Sequence, residues 1–237
     1  MSKAVAQPSE SQLCACSSGL SRTRCCEVNL ASLGAREASR HLAPLEERAA
    51  EAQRGGSTEE AERLALDVLE LAPGRGRALA ILYEIRKAQG KSEASAALIR
   101  RLVALEPNNF WATNELTLLL LGRGNVAEAE RHARNAVRIA PENPQAHNLM
   151  GMIMTEANRP QIGEYHYRRV LELAEGEEPI TLANLAWNLK NQGRIDEARA
   201  LYQRSITLKP DVLQTVLGYA KMEEADRKAH AEQAGVS

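Results

Sequence analysis

The sequence predicts an all-α fold, a solenoid built from stacked helix-turn-helix units. Three observations carry this. Ala, Leu, Glu and Arg dominate the 237 residues while aromatics are only 3%, a mixture that favours helix over strand. Pro73, Pro107 and Pro141 recur at intervals of 34 residues, each behind an apolar helix end (LELAP, VALEP, VRIAP), and a further such end, ITLKP, closes at Pro210. In the same phase stand Gly56, Gly90, Gly124 and Gly193, with Asn158 at the equivalent place in one unit. A fixed period of this length marks supersecondary units that bury their apolar faces only by stacking on one another.

The phase divides the chain into units 42–75, 76–109, 110–143, 144–177 and 179–212, followed by 213–237 as a partial repeat or C-terminal helix. Glu175 stands where the fourth unit would carry proline, and one extra residue delays Pro210. Gly and Asn both tolerate the left-handed backbone that stops a first helix and turns the chain into a second. Five positions after each comes a small residue, Ala61, Ser95, Ala129, Gly163 or Ala198, which lets the paired helices approach closely. Apolar residues follow at helical spacing, as in Leu64, Val68 and Leu71, or Leu98, Leu102 and Leu105, or Leu182, Leu185 and Leu189. Ser57 to Glu60 read as an N-capping turn, and Asp196 and Glu197 place acid at another helix start. A plain helical bundle with chance periodicity is the competing reading, and the coincidence of several positions across five units weighs against it.

Gly151 with Gly163, Tyr167 and Val170, and Ala186 with Ala198, Tyr202 and Pro210, give a pattern that resembles tetratricopeptide repeats over about residues 42–220. The sequence departs from it in several places. Leu45, Leu79, Thr113, His147 and Leu182 replace an early tryptophan, Tyr83 occupies a small position, and Ala65 and Ala133 occupy bulky ones. The resemblance implies a right-handed α-solenoid whose first helices line a concave face that binds a protein or peptide. On that face it places Trp111, Asn114, Glu115, Asn148, Thr155, Glu156, Asn184, Trp187, Lys190 and Asn191. An amide both donates and accepts, so Asn114, Asn148 and Asn184 could hydrogen-bond an extended peptide backbone without reading its side chains. Trp187 is either an apolar anchor for a partner or a residue packed against the neighbouring repeat; both readings stand. The basic set that grips a C-terminal carboxylate in some of these proteins is not matched, because Arg77, Lys87 and Lys190 are scattered.

All four cysteines lie in the segment CACSSGLSRTRCC, as Cys14, Cys16, Cys25 and Cys26, so no disulfide can form in the helical body. Four thiolates can close a tetrahedral zinc shell, with Ser18 and Gly19 turning the chain back and Arg22 and Arg24 offsetting the accumulated charge. Two disulfides, a reactive dithiol at the vicinal pair and an unstructured tail remain as alternatives. The spacing resembles the SEC-C motif, a zinc-binding segment of bacterial proteins, which implies a knuckle at 13–30 between a disordered 1–12 and a linker or helix start at 31–41. Ala15, Ser17 and Arg22 depart from the residues usual there. With four protein ligands such a zinc is structural, because no position stays open for substrate.

With 30 basic and 31 acidic residues the formal net charge is −1, which disfavours nucleic acid and anionic membrane as partners. The N-terminus lacks a signal-like apolar run, and the stretch 116–121 is too short to span a bilayer, so the expected location is the cytoplasm. No phosphate-binding loop, HExxH helix or GxSxG elbow occurs, and no catalytic residue is assigned. His147 and His166 sit on the two helices of one unit and can approach each other as packing residues. The expected function is therefore a non-enzymatic protein- or peptide-binding scaffold with structural zinc. The alternative comes from a further resemblance, to the front part of bacterial repeat proteins that carry a sulfotransferase domain, which implies a substrate- or partner-binding region of a longer enzyme.

Overall fold

The computed structural model describes residues 8–30, 33, 41–174 and 176–233. The expectations for 1–7, for 31–40 apart from Leu33, and for Glu175 lie outside the described residues. Within the N-terminal stretch expected to be disordered, Glu10–Gln12 form a 3₁₀ turn, closed by the Ser9 amide donating to Gln12 Oε1 at 3.0 Å. This turn lies just before Leu13, where the knuckle is expected to begin.

Eleven α-helices follow among the described residues, and no strand: α1 (Ala43–Arg54), α2 (Thr58–Leu71), α3 (Gly76–Ala88), α4 (Ser92–Leu105), α5 (Phe110–Gly122), α6 (Val126–Ile139), α7 (Pro144–Glu156), α8 (Pro160–Leu173), α9 (Pro179–Asn191), α10 (Ile195–Leu208) and α11 (Leu213–Gln233). The all-α expectation holds. The turns inside the helix pairs use the left-handed residues read from the sequence: Gly56 (φ 79), Gly90 (69), Gly124 (73), Asn158 (56) and Gly193 (77). Ser57 precedes α2, but its side chain makes no capping hydrogen bond, so the expected N-capping turn is corrected. What remains there is acid in the first turn, Glu59 and Glu60, facing the positive end of the helix dipole.

The chain forms two units, Met1–Leu116 and Thr117–Ser237, with the division inside α5. In the first, α1 packs on α2, α2 on α3 and α3 on α4, while α1 also touches α3. In the second, the succession runs from α6 through α11, with α9 touching both α7 and α11. Within the units first helices meet one another as well as their own partners, α1 with α3 and α9 with α7 and α11, the stacking of a solenoid. The small positions sit where helices cross: Ala61, Ala129 and Ala198 are wholly buried and Ser95 nearly so. At Gly163 a Cβ would stand 2.7 Å from Asn188 Nδ2 and from Thr155 Oγ1, and at Gly151 it would stand 2.7 Å from the Tyr167 ring.

Three polar side chains, Asn188, His147 and His166, are buried inside this packing with hydrogen-bond partners. Asn188 Nδ2 donates to Thr155 Oγ1 at 2.6 Å and to the Pro160 carbonyl at 3.0 Å, and its Oδ1 accepts from Gln192 at 2.8 Å. His147 and His166 lie with their Nδ1 atoms 2.9 Å apart, and His147 Nε2 is 2.8 Å from the Pro141 carbonyl. A carbonyl only accepts, so His147 carries its proton on Nε2, and His166 donates from Nδ1.

Two outcomes are expected. Gly163→Ala should destabilise the fold by about 1–3 kcal/mol, the usual cost of forcing an extra methyl group into a filled site, read by urea denaturation. Burial, with His147 beside it, holds His166 at about 4, below its ordinary 6.5. The folded imidazole therefore binds fewer protons than the unfolded one between these values. Its contribution to stability is complete above about pH 6.5 and is lost as the pH falls towards 4. His166→Asn keeps a donor for His147 without the titration, and should flatten the fall of the denaturation midpoint with pH.

Candidate metal centre and partner face

Leu13 and Ser21 form an antiparallel bridge, and the Cys14 amide donates to the Leu20 carbonyl at 2.9 Å. Between them Ser17 (φ 64) and Gly19 (φ 88) take left-handed backbone, which folds the segment back on itself within a few residues. The 3₁₀ turn Arg22–Arg24 then brings the second cysteine pair to the first. Cys16 Sγ lies 3.4 Å from Cys14 Sγ and 3.4 Å from Cys25 Sγ, and Cys25 Sγ lies 3.9 Å from Cys26 Sγ. All four sulfurs fall within 4.8 Å of one another. Ligands about 2.3 Å from a tetrahedral zinc stand about 3.8 Å apart, so the spacing suits that ion. The sulfurs stand as free thiols at separations well beyond the roughly 2.05 Å of a disulfide bond.

The thiols do not share one ionisation behaviour. Burial opposes the charged form of Cys14, yet main-chain amides of Cys16 and Cys26 and the neighbouring thiols hold it at about 7. Burial pushes Cys26 up to about 12, helped by Cys14 and Cys16. Burial raises Cys25 further still, against the Ser18 hydroxyl that donates to its sulfur at 3.0 Å. One thiolate discourages the next, and a divalent cation among them is the natural way to hold all four ionised.

The knuckle is fastened to α2, α3 and α4 by groups that the sequence did not single out. Arg86 of α3 donates from Nε and Nη2 to the Ser18 carbonyl at 2.9 and 2.7 Å. Glu70 of α2 accepts from the Ser21 amide at 2.6 Å and hydroxyl at 2.9 Å. Arg101 of α4 donates to the Arg24 carbonyl at 2.6 Å and to the Pro73 carbonyl. Arg22 and Arg24, expected to offset thiolate charge, have exposed side chains, and Arg22 lies 3.8 Å from Glu27. The signal that could have found the pair is charge in an apolar phase: Arg86 continues Leu82 and Ile85, and Arg101 lies between Leu98 and Leu102.

The expected partner face divides between the two units. In the first, Trp111 is 37% exposed and meets the edge of buried Tyr83, ring centroids 5.7 Å apart. The Tyr83 hydroxyl donates to Glu115 at 2.6 Å, and Lys87 reaches the same carboxylate at 2.5 Å. Asn114 is half-buried, and its Oδ1 has no hydrogen-bond partner. In the second unit Asn184 Nδ2 donates to Asn148 Oδ1 at 3.1 Å, so the structure brings these two together. Trp187 is half-buried and packs with Met152 on a core of Tyr167, Leu185, Ala186, Leu189 and Tyr202. Glu156 and Asn191 are exposed and Lys190 half-exposed. Thr155 is a correction: it is 7% exposed and its hydroxyl donates inward to the Gly151 carbonyl at 2.8 Å. No helix among the described residues is long and apolar enough to cross a membrane.

Residues 179–212 match the family model described as Tetratricopeptide repeat. Over 152 residues the chain is 26% identical to "Cellulose synthase operon protein C" of Salmonella typhimurium, a match covering 60% of this chain and 13% of that protein. The chain thus spans a small part of that relative. Among solved structures it is similar to a tetratricopeptide repeat protein from Parabacteroides merdae (TM-score 0.68, 18% identity, covering 82% of this chain and 78% of that one). It is also similar to YrrB, described as "a TPR protein with an unusual peptide-binding site" (TM-score 0.65, 14% identity, covering 74% and 90%). The paired helices, the left-handed turns and these likenesses agree: the chain has the fold of tetratricopeptide-repeat solenoids, with one unit, 179–212, matched as such a repeat in sequence.

Proposed function

We propose that this chain is a non-enzymatic interaction scaffold that takes a protein or peptide segment on the face lined by its first helices, with one structural zinc held by Cys14, Cys16, Cys25 and Cys26. The observation that carries the binding face is the Asn184–Asn148 hydrogen bond. One bond between two amides leaves the Asn184 oxygen and the Asn148 amide hydrogens to spare, side by side. That pair suits the main chain of an extended segment, which presents a donor and an acceptor at every residue. Trp187 and Met152 supply an apolar floor beside it, and Glu156, Lys190 and Asn191 a polar rim. On the other unit Trp111 and Asn114 offer the same combination of ring and amide. YrrB, with the same fold, is described as having a peptide-binding site, which supports this reading. A shell of four thiolates leaves no coordination position for substrate, so the metal serves structure. The cytoplasm, where thiols stay reduced, is the compartment proposed.

Two experiments test the reading. Purified protein should contain one zinc per chain, and cobalt substitution should give the intense thiolate-to-cobalt charge-transfer absorption of a tetrahedral thiolate site. Cys25→Ser should remove the zinc, and wild type that binds neither ion overturns the metal assignment. For the face, peptides selected from a displayed random library should lose about tenfold in affinity, or about 1.4 kcal/mol, on Asn148→Ala plus Asn184→Ala, with helicity unchanged. Unchanged affinity by isothermal titration would place the partner elsewhere.

A further inference from the structure

Arginine is buried only where its charge is answered, and two arginines are buried beneath the knuckle. Arg86, 2% exposed, has Glu62 as a counter-charge at 2.7 Å, with Gln89 at 2.8 Å from the same nitrogen. Arg101 is 6% exposed and differently placed. Its Nη atoms donate to the carbonyls of Arg24 and Pro73, and its Nε has no partner. Carbonyls satisfy hydrogens but carry no net charge. Burial works against the Arg101 cation, lowering it to about 10, and the groups that favour it are first Cys25 and Cys26, then Glu70. Arg24, whose carbonyl it holds, is the residue directly before Cys25, so this guanidinium is buried against the main chain of the cysteine segment.

We propose that Arg101 is the buried counter-charge of a metal–thiolate centre in the knuckle, and that through Arg101 and Arg86 metal occupancy is coupled to the packing of α2, α3 and α4. The proposal rests on the metal reading above. Four thiolates around one divalent cation carry a net charge of about −2, spread over sulfurs that include Cys25 and Cys26. Beside them a buried guanidinium is stabilised. Without metal the thiols keep their protons, that charge disappears, and Arg101 keeps only carbonyl dipoles and the smaller influence of Glu70. The same arginine joins the knuckle, through Arg24, to Pro73 in the turn between α2 and α3. Arg86 likewise joins Ser18, beside the ligand cluster, to Glu62 of α2. Loss of metal therefore loosens the contacts that hold α2, α3 and α4 under the knuckle. Coupling of this kind is reciprocal: a change that removes the Arg101 charge must also weaken the metal.

The test uses the full chain. Zinc affinity is measured by competition with a chromophoric chelator, and amide exchange of α2–α4 is followed by mass spectrometry with and without chelator. Arg101→Met should bind zinc about 10–100-fold more weakly, as loss of a supporting group around a metal site typically does, and Arg101→Lys, which keeps the charge, should lie between it and wild type. Metal removal from wild type should speed exchange in α2 and α4 while α8 and α9 stay protected. If Arg101→Met does not fold, Glu70→Gln tests the same dock from its half-buried rim, with a smaller loss of affinity expected. Wild type that takes up no zinc overturns the metal reading and this proposal together. Wild type holding one zinc overturns the coupling alone if exchange is indifferent to chelation, or if folded Arg101→Met binds zinc as tightly.

Discussion

Gly163 has no room for a side chain, because Asn188, Thr155 and the Gly151 carbonyl all stand within 2.9 Å of where its Cβ would be. That close approach of one helix to its partner is the constraint on which the stacked part of the chain depends. The other pairs meet it with Ala61, Ser95, Ala129 and Ala198, all buried. The left-handed turn residue five positions earlier fixes where along the second helix the contact falls. Once both are set, the bulky residue one turn on has a defined place: Tyr167 lies over Gly151 and Tyr202 over Gly218. The first helices are then held with one edge outward, and the candidate partner face is a consequence of that spacing.

Polar groups inside such a stack determine register more than they add stability. Asn188 reaches Thr155, Pro160 and Gln192, and Gln192 also reaches Glu164 at 3.0 Å. Glu164 in turn accepts from Arg194 at 2.7 Å and from Arg168. The carboxylate stays ionised, since these donors outweigh the burial that opposes its charge. An amide in an apolar interior is costly without partners, so a one-turn slip of α9 against α7 and α8 would strand it. The register that satisfies Asn188 also aligns Asn184 with Asn148.

The repeat was legible because its signals are short-range backbone chemistry. A left-handed turn needs Gly or Asn, and a close crossing needs a small residue, whatever else the chain does. The same positional reasoning chose Asn184 for the outward face and left out Asn188, an identical residue one helical turn along α9. The first borders solvent and the second is wholly buried, a difference set by how α8 and α9 cross. Thr155 was misplaced on the outward face, since its hydroxyl turns inward to the Gly151 carbonyl and to Asn188. The cysteine cluster was legible from spacing, whereas its charge environment was not. Arg22 and Arg24 are neighbours in sequence and point to solvent, while Arg101 arrives from a helix far along the chain.

The knuckle explains why such distant groups are needed. From Pro8 to Leu30 the buried residues are Cys14, Ser18, Leu20 and Cys25, far too little apolar surface to hold a fold in water. Its shape must come from cross-links within and support from outside. The outside support is unusual in using main chain: the Ser18 and Arg24 carbonyls and the Ser21 amide meet Arg86, Arg101 and Glu70. Contacts to backbone are indifferent to the side chains at those places but strict about conformation. Residues of the knuckle can therefore vary widely so long as the left-handed geometry at Ser17 and Gly19 survives. At Gly19 the limit is doubled, since a Cβ would also meet Arg86 Nη2 at 2.7 Å. Ala15 and Arg22 are exposed and supply none of these main-chain contacts, so their side chains do not enter the dock.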